Sequence, residues 1–202
     1  MISVVDYGMG NLRSVEKSLE RIGAKVEVIS KPAEVLHARL LILPGVGHFK
    51  SGVQNLKDRN LWEALNEAVM IKKTPVLGIC LGMQLMTEHS EEGDVDGFGW
   101  IRAETKRFPH GIMNFKVPHM GWNQSEPIKS DVLFRGITDS PFYYFVHSYF
   151  VSCSDVLTAE ARTKYITEFT SSFEKENIFG CQFHPEKSHD SGLAILKNFS
   201  VL

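Results

Sequence analysis

The sequence predicts an α/β fold, an open, doubly wound and mostly parallel sheet with helices on both faces and added antiparallel strands. Three observations lead there. Short apolar runs alternate with helix-period segments over the first ninety residues. One of those runs, Pro75 to Ile79, is continuous and apolar, as in a strand buried on both faces of a parallel sheet. The second half then turns to β-like runs with few helical stretches. A length of 202 residues suffices for a full core, and no repeat, low-complexity tract or long linker divides it. One domain over 1–202 is expected.

Taken in order, Ile2 to Val5 is an apolar strand followed by the glycine-rich loop Asp6-Tyr7-Gly8-Met9-Gly10. Asn11 is the expected N-cap of a helix in which Leu12, Val15, Leu19 and Ile22 recur at helical spacing until Gly23 stops it. Val26 to Ile29 reads as a second strand and Leu40 to Leu43 as a third. The third ends in Pro44-Gly45-Val46-Gly47, where two residues are free to adopt positive φ. A helix from about Asn60 to Lys72 sets Leu61, Leu65, Ala68 and Val69 on one face, and the strand at 75–79 follows. From Gly97 to Glu168 the β-like runs include Phe142 to Val151 and Val156 to Ala161. A last strand, Ile178 to Phe183, leads to a terminal helix from about Ser191 to Phe199.

Composition narrows the function classes. Apolar residues make up 43% and charged residues 23%, the mixture of an ordinary globular protein. A formal charge of −2 without a basic block gives no electrostatic case for nucleic acid. The densest basic spot, Lys72-Lys73, falls at a helix end, where cations are favoured anyway. No segment approaches bilayer length, and Met1 runs straight into a strand without the charged and apolar regions of a signal peptide. Three cysteines, Cys80, Cys153 and Cys181, are an odd count with no C-x-x-C pair. That argues against a disulfide framework or a zinc site and suits a reducing, cytoplasmic setting. His119, His147 and His189 lack paired ligand spacing and read as structural or loop residues, so neither metal nor cofactor is expected. Cys153 and Cys181 read as packing residues.

Chemistry concentrates in Gly78-Ile79-Cys80-Leu81-Gly82, where a buried strand meets a helix. This is the thiol counterpart of the G-x-S-x-G nucleophile elbow. Small flanking residues allow a sharp turn that presents the thiol at the strand's carboxyl end, where a helix N-terminus favours thiolate. A buried structural cysteine is the other reading of the same pentapeptide. A cysteine nucleophile needs a base, and Phe183-His184-Pro185-Glu186 offers one late in the chain. Pro185 keeps His184 extended, and Glu186 two residues on can fall on the same side to orient the imidazole.

Gly78-Ile79-Cys80-Leu81-Gly82-Met83-Gln84 together with His184-Pro185-Glu186 resembles the signature of class I glutamine amidotransferases, whose fold is of the flavodoxin-like doubly wound kind. Four further stretches extend the resemblance from residue 1 to the end. They are Asp6-Tyr7-Gly8-Met9-Gly10-Asn11, Pro44-Gly45-Val46-Gly47, Pro118-His119-Met120-Gly121-Trp122-Asn123 and Tyr144-Phe145-Val146-His147-Ser148-Tyr149. In that order the six are similar to the branch of the family formed by glutaminase subunits of imidazole glycerol phosphate synthase, which serve histidine biosynthesis.

The resemblance implies a triad of Cys80 as nucleophile, His184 as base and then acid, and Glu186 orienting the histidine. It implies an oxyanion site from backbone N–H groups of Gly45, Val46, Gly47 and Leu81, although the loop at 44–47 also reads as a plain strand-to-helix turn. L-Glutamine would lie against Gln84, Glu92 and the backbone of Ser148 and Tyr149. Glu92 also belongs to the acidic cluster Glu88, Glu91 and Glu92, which can be a solvated face. Asn11, Trp122 and Lys187 match positions that face a separate cyclase subunit, so a heterodimer is expected; Trp122 can equally be core and Asn11 simply a cap. Close paralogues with the same chemistry feed sugar amidotransferases of surface-polysaccharide synthesis. Gly97-Phe98-Gly99-Trp100 and Lys187-Ser188-His189-Asp190 fit either branch.

Overall fold

Val, Ile and Leu run almost without polar interruption through four short strands, and a backbone flanked by such side chains has nowhere to go but the middle layer of a sandwich. A computed structural model describes residues 1–109, 111–112, 115–129, 132–137, 139–153, 155 and 158–202. Its first half alternates strand and helix: β1 Ile2–Val5, α1 Leu12–Arg21, β2 Val26–Ile29, α2 Pro32–His37, β3 Leu41–Gly45, α3 Phe49–Asp58, α4 Leu61–Asn66, β4 Val76–Cys80 and α5 Leu81–Leu85. Strands then dominate: β5 Thr87–Ser90, β6 Val95–Asp96, β7 Ile101–Arg107, β8 His119–Gln124, β9 Glu126–Pro127, β10 Phe142–His147, β11 Tyr149–Cys153, β12 Ala159–Lys164, β13 Glu168–Lys175 and β14 Ile178–Cys181. Helix α6, His189–Ser200, closes the chain. Every residue of β1, β3, β4 and β14 is buried.

These four strands and β2 form a parallel sheet in the order β2-β1-β3-β4-β14. Strand order reverses direction next to β1, which opens a crevice at the carboxyl ends of the strands, where α/β sheets bind ligands. Beyond β14 the sheet continues through antiparallel β13, β11 and β7, with β12 pairing to β13. Strands β8 and β10 form a separate antiparallel ribbon.

Successive side chains on a strand point to opposite faces, so Leu41 and Leu43 of β3 enter one core and Ile42 the other. Helices α2 to α5 cover the first face with Val35, Phe49, Val53, Leu56, Leu61 and Leu81. Helices α1 and α6 cover the second with Val15, Leu19, Ile195, Leu196 and Phe199. The doubly wound α/β architecture with added antiparallel strands is as expected.

Several elements differ from expectation. The expected scheme has no helix between the strands at 26–29 and 40–43, nor between Gly47 and Asn60; the structure has α2 and α3 there. Helix α2 is short and held by its cap: Glu34 accepts from the N–H groups of Ser30 and Lys31 at 3.0 Å each. Helix α3 buries Phe49, Val53 and Leu56, with Gly52 in its middle weakening the pattern. The helix expected from Asn60 to Lys72 ends in a π-helical turn, Glu67–Ile71. The expected strand at 142–151 breaks at Ser148 into β10 and β11, which join different sheets. For the expected strand at 156–161, residues 156 and 157 lie outside the described residues, and β12 begins at Ala159. The last strand stops at Cys181, which frees 182–184 for the site. Among the described residues no helix is long and apolar enough to cross a membrane.

Candidate active site

The turn from β4 into α5 leaves no room for side chains beside Cys80. A Cβ on Gly78 would meet the Met83 nitrogen at 2.6 Å and the Gly82 carbonyl carbon at 2.7 Å, and one on Gly82 would run into the Leu43 carbonyl. With glycines on both sides the chain turns so sharply that Cys80 adopts φ 53° and ψ −107°, a conformation costing an L-residue about 1–3 kcal/mol. Helix α5 has only five residues. The polarity that the sequence assigns to a helix therefore reduces to the first free N–H groups, Leu81 foremost.

Strand β14 lies parallel to β4 with Cys181 opposite Ile79, so the segment leaving β14 reaches the edge that carries Cys80. His184 follows at 1% exposure, its Nδ1 2.8 Å from Glu186 Oε1. Glu186 reaches the imidazole through a 3-10 turn, Pro185–Lys187, and not along an extended segment as the spacing suggests. The Ser188 hydroxyl fastens this turn, donating to the His184 carbonyl at 2.6 Å and accepting from the Tyr144 N–H at 3.0 Å. Among the described residues Nε2 of His184 has no oxygen or nitrogen partner and is left to interact with the Cys80 sulfur. Burial works against the imidazolium, but the charge of a Cys80 thiolate and the Glu186 carboxylate outweigh it and raise the His184 pKa to about 10.

Cys80 opens onto a cavity of about 260 Å³. This lies just below the range of about 300–1,000 Å³ usual for drug-sized ligands and suits a single amino acid. Val46, Gly47, Leu81, Gln84, Glu92, Ser148 and Tyr149 line it together with Cys80. Gly45 is not in the lining; it lies behind, opposite Cys80 in the sheet register. Gln84 donates through Nε2 to the Tyr149 carbonyl at 2.9 Å and to Gln182 Oε1 at 3.1 Å. Glu92 accepts from the Phe49 N–H at 2.8 Å, so it caps α3 and borders the cavity at once.

The sequence reading misses Gln182. It is fully buried, and its Nε2 lies 3.6 Å from Cys80 Sγ, linking the thiol to Gln84. A signal was available, since a glutamine in an apolar run two residues before His184 falls on the same side.

His147, which also lines the cavity, belongs to a buried chain of hydrogen bonds with one consistent set of tautomers. Asn123 Nδ2 donates to His119 Nε2 at 3.2 Å, His119 Nδ1 to His147 Nε2 at 2.9 Å, and His147 Nδ1 to the Tyr149 carbonyl at 2.8 Å. Both imidazoles must be neutral for this. Burial lowers the pKa of His119 to about 4, and burial together with His119 lowers that of His147 to about 3. The unfolded chain binds these protons near pH 6.5 and the folded chain does not, so the stability set by these two histidines falls as pH drops below about 6.5 and levels off only near the folded values; Glu160, its pKa raised to about 8 by burial, works the other way over the same range. His147 alone is expected to remove on the order of 3 kcal/mol by pH 4. Thermal unfolding of the chain and of His147→Phe, compared from pH 7 to pH 4, checks this, the difference between the two narrowing by that amount.

Trp122, 46% exposed, stands outside the core and stacks on His189 at 5.0 Å and 5°. Lys187 lies over the Tyr144 ring at 5.5 Å. With exposed Met120 and Phe142 these residues make an apolar and basic patch on the β8–β10 ribbon, next to the Glu186 turn. Asn11 is exposed and caps α1, its Oδ1 accepting from the Ser14 N–H at 3.4 Å. That helix touches the same turn, Ser18 Oγ donating to the Glu186 carbonyl at 3.4 Å. Among the described residues no group of three or more His, Cys, Asp or Glu is gathered to hold a metal ion.

Comparison with known proteins matches residues 3–202 to the family model described as glutamine amidotransferase class-I. The chain is 46% identical, over all of both chains, to "Imidazole glycerol phosphate synthase subunit HisH 1" of Campylobacter jejuni subsp. jejuni serotype O:23/36 (strain 81-176). It is 48% identical to the subunit HisH of Moorella thermoacetica, covering 100% of this chain and 94% of that one. It is 44% identical to "subunit HisH 2" of Pseudomonas aeruginosa PAO1, over the whole of both. A solved structure of a glutamine amidotransferase superposes over the full length of both chains with a TM-score of 0.77 at 15% identity, a likeness of fold.

Proposed function

The chain belongs to the class I glutamine amidotransferase family, and from that premise we propose that, as a single domain, it is the glutaminase subunit of an imidazole glycerol phosphate synthase, acting in histidine biosynthesis. It hydrolyses L-glutamine to glutamate and ammonia and hands the ammonia to a separate cyclase subunit. The observation that carries the reading is that Cys80, which lines a cavity of amino-acid size, is backed by the hydrogen-bonded pair His184 and Glu186.

In this mechanism the Cys80 thiolate adds to the side-chain amide carbon of glutamine. The oxyanion that forms is met by the N–H of Leu81 and by those of Val46 and Gly47, the members of the loop that line the cavity; one such donor is typically worth about 3–4 kcal/mol. The His184 imidazolium gives its proton to the departing nitrogen, so ammonia leaves and a γ-glutamyl thioester remains on Cys80. Neutral His184 then takes a proton from water, whose oxygen attacks the thioester, and glutamate departs as the thiolate is restored. Glu186 holds the imidazole in the tautomer that keeps Nε2 toward the sulfur. Glu92 pairs with the α-ammonium of glutamine, while Gln84 with the backbone of Ser148 and Tyr149 completes its seat. The patch around Trp122 and Lys187, with Asn11, docks the cyclase, since exposed aromatic and basic side chains are the usual anchors of interfaces.

A second reading keeps the glutaminase and changes the acceptor to a sugar amidotransferase of surface-polysaccharide synthesis. Ammonia release by the chain with and without the imidazole glycerol phosphate synthase cyclase and its nucleotide ligand separates the two. The first reading predicts stimulation of at least about tenfold. Cys80-dependent hydrolysis indifferent to that cyclase transfers the assignment to the second.

A further inference from the structure

Tyr7 presents a buried hydroxyl with nothing to bind. Its side chain is 0% exposed, and its oxygen has no hydrogen-bond partner among the described residues. Burying an unsatisfied hydroxyl costs about 1–3 kcal/mol, a cost that a phenylalanine would not carry. The hydroxyl lies under the loop after β3. The Tyr7 oxygen is the first atom that a Cβ on Gly45 would strike, ahead of Leu81 Cβ at 2.8 Å and Gly82 N at 3.0 Å. Gly45 is the register partner of Cys80, so the Tyr7 hydroxyl beside Gly45 lies under the strand end next to the nucleophile. The rest of the Tyr7 loop packs under the same segment. Met9 Cε would lie 2.8 Å from a Cβ on Gly47, and Pro44 Cγ lies 3.3 Å from the corresponding position on Gly10.

An amide plane carries its N–H and C=O in opposite directions. For the Val46 N–H to point at an oxyanion in the cavity, the Gly45 carbonyl of the same peptide must point the other way, into the bed of the loop. That bed is closed to solvent by the buried Tyr7 side chain, and a carbonyl turned into it needs a donor. Among the described residues, the buried side-chain donor without a partner beneath this loop is the Tyr7 hydroxyl.

We propose that Tyr7 is a positioning residue of the glutaminase. Its hydroxyl donates to the Gly45 carbonyl when the Gly45–Val46 peptide turns its N–H toward Cys80, and so holds the oxyanion loop in its donating conformation. Tyr7 touches neither glutamine nor the thioester; it acts through the loop. The proposal rests on the glutaminase reading and specifies how that site is held competent.

The test compares Tyr7→Phe and Tyr7→4-aminophenylalanine with the unaltered chain in complex with the cyclase, measuring kcat and KM for glutamine hydrolysis and the thermal midpoint. Tyr7→Phe is expected to lower kcat by about tenfold or more. KM should stay within about twofold, because the loop donates to the oxyanion and not to ground-state glutamine. The thermal midpoint should hold or rise, since an unsatisfied hydroxyl has gone. 4-Aminophenylalanine, which returns an N–H donor to the same place, should restore most of kcat. A Tyr7→Phe kcat within about twofold of the unaltered chain overturns the proposal. So does a fall in kcat that accompanies a fall in thermal midpoint and is not restored by the amino variant, which would make Tyr7 a packing residue. Absence of Cys80-dependent hydrolysis in the unaltered complex is a different failure, that of the glutaminase itself, and takes this proposal with it.

Discussion

Replacing Cys80 by alanine is expected to lower glutamine hydrolysis by roughly 10⁶-fold, because removing a nucleophile from a triad leaves only binding and the oxyanion site to help water. Neither other cysteine can substitute. Cys181 is fully buried, and burial pushes its thiol well above the usual range, while Cys153 lies on β11, its thiol likewise raised by burial. A companion variant separates chemistry from strain. Cys80→Gly should be as inactive as Cys80→Ala, yet more stable than it by about 1 kcal/mol or more, since only glycine adopts φ 53° with ψ −107° at little cost. Steady-state ammonia release and urea denaturation of both variants check the pair. Equal stability of the two would mean that the elbow stores no strain at Cys80.

The largest stability effect is expected from Gly82→Ala. A Cβ there meets the Leu43 carbonyl, and that carbonyl cannot retreat because β3 is held to β4 with Leu43 opposite Gly78. Backbone must move against backbone in a fully buried sheet, and a loss of at least about 3 kcal/mol follows. Gly52→Ala, in the middle of α3, is the control. Its Cβ would find only Leu85 and Leu81 side-chain carbons, at 3.4–3.5 Å, and helix propensity favours alanine by about 1 kcal/mol. The same chemical change should therefore be neutral or stabilising at 52 and severely destabilising at 82, as urea denaturation would show.

Gly78 and Gly82 also mark what was legible in the sequence. The elbow was readable because its steric demand is local: a turn with no room beside it must have glycine at 78 and 82, whatever the rest of the chain does. His184 was readable for a similar reason, Pro185 restricting it from one side. Its link to Glu186 forms by a 3-10 turn and not by the extended path that the spacing suggested, since one hydrogen bond can be reached from more than one backbone shape. The parallel strands were visible as unbroken apolar runs. Their order was not, because pairing β14 with β4 joins segments about a hundred residues apart. Helix α2 escaped because six residues show little periodicity and its stability lies in the cap of Glu34. The chain from Asn123 through His119 to His147, and the unsatisfied Tyr7 hydroxyl, arise from long-range packing that no local pattern announces.

The proposed mechanism passes through a covalent intermediate at Cys80. The chain, turning over saturating glutamine with the cyclase and its nucleotide ligand, would be quenched in acid and digested for mass spectrometry. The predicted result is a γ-glutamyl group on the peptide carrying Cys80, absent from those of Cys153 and Cys181 and lost when glutamine is omitted. Ammonia released at full rate by Cys80→Ala, or a glutamyl group carried by another residue, would contradict it.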